Sequence, residues 1–216
     1  MSKPILVEVW GDYACFTRPE FKVERVSYDV MTPSAARGIL ESLYWHPGMK
    51  WVVDRIYVLS PISFISIKRN EVSSVLSARN AAAVMAGKQA ELAIYAGKDI
   101  QQRSSLILTN PHYVIEAHFV MTENAAEEDS PSKFRGIAEK RLLEGKCYSQ
   151  PYFGCREFTA YFRKWDGKNI PAIPVTKDLG FMLYDMDYSD PQNIRAGFFR
   201  ARMENGVVDV SGEVLF

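Results

Sequence analysis

Nowhere in this 216-residue chain do apolar residues run together for the roughly 18 positions that a membrane-spanning helix needs, so none is expected. The opening MSKPILVEVWGDY has neither a long apolar run nor a small-residue cleavage site. No signal peptide is expected, and the protein is expected in the cytoplasm. Cysteine is scarce. Cys15, Cys147 and Cys155 are an odd number without CxxC spacing, which fits a reducing compartment and argues against a disulfide framework or a zinc site. Charge of one sign is not in excess either, with 26 Lys plus Arg against 26 Asp plus Glu. No global field advertises a polyanionic partner, and any basic surface must be local.

The motifs of several enzyme classes are also missing. There is no glycine-rich phosphate loop, no GxSxG elbow and no Ser-His-Asp ordering. His46, His112 and His118 are scattered without metal-site spacing, so neither a metal nor a cofactor is expected. His118 sits inside an apolar run and reads as a core or edge histidine. No repeat of solenoid length and no low-complexity stretch interrupts the chain. Its 47% hydrophobic and 24% charged residues are ordinary for a globular protein, and the length suits one large domain or a domain with a smaller appendage.

What the chain does contain is best read from TPSAARGILESLYWHP, residues 32–47. Thr32 can cap a helix and Pro33 fits its first position, where no N–H is needed. On a 100° wheel Ala35, Ala36, Ile39, Leu40 and Leu43 share one arc, while Ser34, Arg37, Glu41 and Tyr44 share the other. The apolar arc predicts packing on a sheet, and Tyr44 is expected to lean towards solvent or a ligand. Pro47 stops the helix just beyond Tyr44, Trp45 and His46.

Around this helix the chain reads as alternating strands and helices. Ile5 to Phe16 alternates as a strand, with Gly11 a bulge or a point of close approach. Pro19 to Asp29 is a charged connection. KWVVDRIYVL and ISFISIKR are strands two and three, separated at Ser60-Pro61. Val72 to Gly97 is an alanine-rich insert, a loop with short helical pieces. SLILT and YVIEAHFVM flank Asn110-Pro111 as two strands or one bent strand. ENAAEEDSP is an acidic, turn-rich loop expected to be mobile. Lys133 to Gly145 is a second amphipathic helix, with Phe134, Ile137, Ala138 and Leu142 at i, i+3, i+4, i+8 and a glycine terminator. FTAYFRK is another strand. Strands around Phe181 to Asp187 and Gly197 to Glu204 follow, the last closing a hairpin at Asn205-Gly206. The order β–α–β–β–insert–β–α–β predicts an α+β protein with a ferredoxin-like, or RRM-like, core over residues 1–164 and a small β appendage over 165–216. That fold hosts many functions and does not select one.

The basic region is more informative. From Lys133 to Lys168 nine Lys and Arg face four acidic residues, interleaved with Tyr148, Tyr152, Phe153, Tyr161, Phe162 and Trp165. Cations hold phosphates and rings stack on unpaired bases, so the mixture suits RNA; a solvated helix face beside core aromatics accounts for it equally well. Lys133, at a helix N-terminus, would add an ammonium to free N–H groups and the positive dipole end. Cys147 and Cys155 lie beside Lys146 and Arg156, which can lower a thiol pKa, although small buried residues are the simpler account.

GDYACFTRP, TPSAARGILESLYWHP, RNEV, SARN, QQR, YVIEAHF, GCREF and MENG occur in an order typical of one family. From Val7 to Val208 the chain resembles the CRISPR-associated repeat-RNA endoribonucleases of subtype I-C. These are the Dvulg subtype of the fifth Cas family, within the repeat-associated mysterious protein superfamily. The resemblance implies an enzyme that cuts precursor CRISPR RNA next to a repeat hairpin, without metal, using the RNA's own 2′-OH. It also implies that the protein stays on the 5′ handle of the product as a subunit of the interference complex. The family's catalytic tyrosine falls on Tyr44 and its catalytic lysine on Lys133. Some members carry a histidine directly after that lysine, but here the position is Phe134, on the apolar stripe. His46 is the first substitute as acid. Hairpin reading is expected from Arg37, Lys140, Arg141, Lys146 and Arg156, with Arg163, Lys164, Arg200 and Arg202 as secondary candidates. The rival within the same family is a structural subunit that binds the 5′ handle without cutting.

Overall fold

The computed structural model describes residues 4–21, 23–88 and 92–215. In chain order it contains β1 (Ile5–Trp10), β2 (Tyr13–Ala14), β3 (Arg25–Val26), α1 (Pro33–Leu43), β4 (Met49–Val58), β5 (Phe64–Val72) and α2 (Ala78–Met85). There follow β6 (Ile100–Thr109), β7 (His112–Met121), α3 (Pro131–Glu144), β8 (Tyr161–Lys164), β9 (Lys177–Asp187), β10 (Arg195–Glu204), β11 (Val207–Asp209) and β12 (Val214–Leu215). The protein is a mixed α+β structure dominated by sheet.

The main sheet runs β12-β10-β11-β4-β7-β1-β8, with β9 paired to β10. Every pairing in it is antiparallel. Val7, Val9, Ile56, Ile115 and Ala117 are buried in it, and the apolar arc of α1 (Ala36, Ile39, Leu40, Leu43) closes over β4 and β9. α3 lies against β8 and the flank of α1 through Phe134, Ala138 and Leu142. Burying each such large apolar side chain contributes about 1.5–3 kcal/mol against leaving it in water.

Helices α1 and α3 begin, and α3 ends, where their chemistry dictates. Thr32 Oγ1 accepts from the Ala35 N–H at 3.2 Å, and Pro33 takes the first helical position. Ser130 Oγ accepts from the Lys133 N–H at 3.2 Å. Gly145, at φ 63°, lets the Lys146 N–H reach back to Arg141 O at 2.9 Å, a Schellman closure. The β10–β11 hairpin turns on Asn205 and Gly206, at φ 49° and 76°. Gly11 is a point of close approach, because a Cβ there would lie 2.6 Å from Thr159 O.

Two expectations change, and one of two open alternatives is selected. ISFISIKR does not pair with β4. As β5 it pairs with β6 in a second sheet of order β2-β6-β3, and β7 takes the place beside β4. The reason is burial. A central strand needs the apolar density of YVIEAHFV, whereas β5 leaves alternate Lys68, Asn70 and neighbouring residues to solvent. Asn110, at φ 47°, sends β6 and β7 into different sheets, so the two runs are two strands. The charged connection before α1 contains β3, a two-residue strand parallel to β6. At the acidic loop, Thr122 just before it donates from Oγ1 to Pro47 O at 2.5 Å, and within it the Asp129 N–H donates to Ala126 O at 3.0 Å. In the alanine-rich insert Ser77 caps α2, and the part of that insert at 89–91 lies outside the described residues.

Candidate active site

Tyr44 does not lean outwards. The helix ends at Leu43, and Tyr44, already extended at φ −153° and ψ 125°, is 7% exposed. A 100° wheel no longer applies once the chain leaves the helix, so Trp45 takes the outward position at 60% exposure. The Tyr44 carbonyl accepts from Trp51 Nε1 at 2.9 Å, and its ring packs against Phe134 in a tilted arrangement, with centroids 6.2 Å apart. Its hydroxyl has no hydrogen-bond partner among the described residues. Arg141 reaches from α3 to donate from Nη1 to Leu43 O at 2.9 Å, capping α1, while its guanidinium lies 5.4 Å over the Tyr44 ring.

Phe134 is fully buried. It is the plate on which the site is built, touching Tyr44, His46 at 4.8 Å between ring centroids, and Phe119 at 6.2 Å. A proton donor cannot work from that position, but His46 is held directly on it. Gly48 N–H donates to His46 Nδ1 at 3.0 Å, so the neutral ring carries its proton on Nε2. Asp129 Oδ2 lies 3.9 Å from the same Nδ1. One nitrogen cannot accept from Gly48 and donate to Asp129 together, and the shorter bond decides the tautomer.

Lys133 Nζ donates to Asp129 Oδ1 at 2.9 Å, and Asp129 Oδ2 also accepts from the Ala126 N–H at 3.0 Å. The Asp129 side chain is 2% exposed. The lysine bond holds Lys133 above the usual ammonium range and Asp129 below the usual carboxylate range. Burial is the largest influence on Tyr44 and raises its pKa; Asp129 raises it further, while Arg141 and Lys133 pull the other way. The phenol is therefore neutral at pH 7. Sequence reading missed Asp129, although its spacing four residues before Lys133 was a usable signal.

The other basic residues separate. Arg141 and Arg156 line one open cleft next to Tyr44. Lys140 is exposed on α3, and Lys146 pairs with Glu144 at 2.9 Å. Arg37 forks onto Asp185 with two 2.8 Å bonds and also holds Glu41, so it ties α1 to β9 and has no free donor fork for RNA. Lys164 lies 3.5 Å from Glu139, while Arg163 alternates to the opposite sheet face, where it meets Glu8. Arg200 pairs with Asp178 and Arg202 with Glu204, both on the C-terminal strands. Cys155 is drawn down to about 6, first by a hydrogen bond from Cys15 and then by Arg25, whose Nη1 lies 3.3 Å from its sulfur. The neighbour acting on this thiol is Arg25 rather than Arg156. Among the described residues no three His, Cys, Asp or Glu side chains gather as metal ligands.

A mainly sheet α+β scaffold thus brings a neutral phenol, an imidazole and an acid-paired ammonium together at two helix ends, beside unpaired arginines. Such a site suits in-line chemistry on an anionic substrate. The chain belongs to the family described as CRISPR-associated protein (Cas_Cas5), whose match covers residues 5–211. It is 45% identical over 217 residues to the CRISPR pre-crRNA endoribonuclease Cas5d of Mannheimia succiniciproducens, covering 97% of this chain and 96% of that one. The protein of the same name from Thermus thermophilus is 39% identical over 224 residues, covering 96% and 91%. A crystal structure of a CRISPR-associated protein shares the fold at a TM-score of 0.69 and 22% identity, over 100% of this chain and 97% of that chain.

Proposed function

We propose that this protein is a metal-independent endoribonuclease that cleaves precursor CRISPR RNA within its repeats and then stays on the 5′ handle. The observation that carries the reading is the meeting of Tyr44, His46 and the Asp129–Lys133 pair around Phe134.

The chemistry follows from the protonation states. The RNA 2′-OH attacks the adjacent phosphorus and gives its proton to solvent water, the P–O5′ bond breaks, and the leaving 5′-oxygen gains a proton. The products are a 2′,3′-cyclic phosphate and a 5′-hydroxyl. Lys133, kept charged by Asp129, stabilises the phosphorane oxygens. Tyr44, with its pKa raised, acts as a hydrogen-bond donor that orients the reacting groups rather than as a base. His46 in its protonated form gives its Nε2 proton to the leaving oxygen and returns to the neutral ring, whose Nδ1 accepts from the Gly48 N–H.

The strand order β4-β7-β1-β8, with α1 between β1 and β4 and α3 between β7 and β8, supports a ferredoxin-like core. Within the main sheet the C-terminal strands join the core through the three residues of β11, which supports reading 165–216 as a β extension of an RNA-processing unit, 1–164, held to it also by α1 on β9 and by the Arg37–Asp185 fork. No helix among the described residues is long and apolar enough to cross a membrane. The proposed substrate, precursor RNA, supports a cytoplasmic place of work. Its partners are the repeat hairpin, the 5′ handle and the other subunits of a subtype I-C interference complex. Lys140, Arg141, Lys146 and Arg156 supply the RNA face.

A handle-binding subunit that does not cut is the second reading, favoured by the burial of Phe134 where some relatives carry a histidine. One experiment separates the two. Cognate repeat RNA is incubated with the protein in EDTA, beside the same RNA carrying a single 2′-deoxy at the scissile nucleotide. All-ribose RNA is cut and deoxy RNA survives. Intact all-ribose RNA overturns the nuclease reading, and equal cutting of both overturns the 2′-OH mechanism.

A further inference from the structure

The open cleft beside Tyr44 holds about 890 Å³, within the range of roughly 300–1,000 Å³ usual for small-molecule sites. Its walls come from three parts of the chain: Gly38, Glu41 and Ser42 on α1, Arg141 on α3, and the loop from Tyr148 to Arg156. That loop is tethered at its start. The Tyr148 and Ser149 N–H groups both donate to Ser42 O, at 2.8 and 3.2 Å, and Gln150 Nε2 donates to Ala160 O at 3.1 Å. The cleft is therefore a preformed shape. Yet its rim carries Trp45 at 60% and Tyr148 at 85% exposure. Exposed rings gathered at the rim of one cleft offer a ready surface to a ligand.

Charge selects the ligand. Glu41 is the one carboxylate in the lining, and it shares Arg37, 2.6 Å away, with Asp185, so the lining itself carries two arginines against one paired carboxylate. Arg141 and Arg156 make no ion pair with any described residue. The cleft thus presents exposed aromatic faces and two uncompensated guanidiniums. Unpaired bases and their phosphates need this combination, whereas a duplex hides its base faces. Arg141 also fixes the position relative to the chemistry, because the same guanidinium rests on the Tyr44 ring.

We propose that this cleft seats one unpaired nucleotide next to the phosphate that is cut, its base stacked on Trp45 at a rim shared with Tyr148 and its phosphate held by Arg141 and Arg156. The inference rests on the RNA-cleaving reading, and it assigns the residue that sets which phosphate reaches Tyr44. The test uses the full chain and repeat RNA with an abasic nucleotide placed in turn at each unpaired position flanking the hairpin. Binding and single-turnover cutting are measured for the natural protein, Trp45→Ala and Trp45→Phe.

One abasic position weakens binding on the order of tenfold to a hundredfold, and Trp45→Ala weakens it similarly on intact RNA. The two losses do not add when combined, and Trp45→Phe recovers most of the affinity. Circular dichroism shows Trp45→Ala folded, as its exposure requires. If every abasic position loses as much with Trp45→Ala as with the natural protein, the seat is wrong. If Trp45→Ala binds and cuts RNA normally but fails to join partner subunits, the cleft is a protein interface and the seat is again wrong. Coupled losses in binding without any cutting would leave the seat standing and remove the nuclease reading. Normal cutting without coupling does the reverse.

Discussion

Two regions of this molecule use the same residue types to opposite ends. On the sheet face, Glu8, His112, Arg163 and Trp10 lie together; at the helix ends, Asp129, His46, Lys133, Arg141 and Tyr44 do. In the first region each polar group is directed at another. The Glu8 side chain is 4% exposed, accepts from His112 Nε2 at 2.8 Å and from Arg163 Nη2 at 3.1 Å, and Arg163 also lies 5.5 Å over Trp10. Burial pushes the Glu8 carboxyl up, but Arg163 and His112 together bring it below its ordinary value. In the second region Asp129 is satisfied, but the Tyr44 hydroxyl, His46 Nε2–H and the guanidinium of Arg156 have no partner among the described residues. The closed set is structural and the open set is poised for a ligand. Composition cannot distinguish them; unsatisfied hydrogen-bonding capacity can.

The comparison can be tested from its strongest consequence down. Phe134→Ala removes the plate under both Tyr44 and His46, and it should cost about 3–5 kcal/mol of stability in urea unfolding as well as cutting. A loss under 1 kcal/mol would mean that the ring is not the support described. Tyr44→Phe keeps that packing and removes one donor, so single-turnover cutting should fall on the order of a hundredfold to a thousandfold while hairpin affinity stays within about threefold. Equal loss of binding would make Tyr44 a contact residue.

Asp129→Asn addresses the held ammonium. Lys133 is raised by Asp129, so its charge persists at high pH and is lost as pH rises through that raised pKa; without Asp129 the loss comes at lower pH. The alkaline limb of the pH–rate profile should move to lower pH, with cutting at neutral pH reduced about tenfold by looser positioning of Lys133. An unmoved limb would show that Asp129 does not hold it. The smallest effect is expected in the closed set. Glu8→Gln should cost about 1–2 kcal/mol, limited because His112 and Arg163 reach solvent, and should leave cutting within twofold. Glu8 is depressed, so its contribution is present above the usual glutamate range and lost as pH falls through the lowered pKa. The difference between Glu8→Gln and the natural chain should therefore shrink in acid thermal melts. A large loss of cutting at constant stability would break the contrast between the two regions.

Much of this was legible locally. Thr32-Pro33, Gly145 and Asn205-Gly206 act within a few residues of backbone, and the structure has each of them as read. The Phe134 stripe was legible too, because burial of one helix face follows from a period of 3.6. The direction of Tyr44 was not, since it depends on the helix ending one residue earlier than the wheel assumed. The partner of β5 was not, since alternation marks a strand without naming the sheet it joins. Asp129 was read as part of a polar loop, although its spacing four residues before Lys133 sets it apart from Glu127 and Glu128.

The sequence by itself determined the elements, their caps, the apolar stripe that excludes a working acid at Phe134, and the family phrases in their order. Only the tertiary structure decided that Tyr44 turns inwards, that Asp129 takes Lys133, and that Arg141 and Arg156 share a cleft with Trp45 and Tyr148. The physical reason is range. Caps, turns and helical periods are set by interactions within a few residues. The site is set by contacts across as many as a hundred residues, such as Arg141 Nη1 to Leu43 O at 2.9 Å, which exist only once α1 and α3 have packed together.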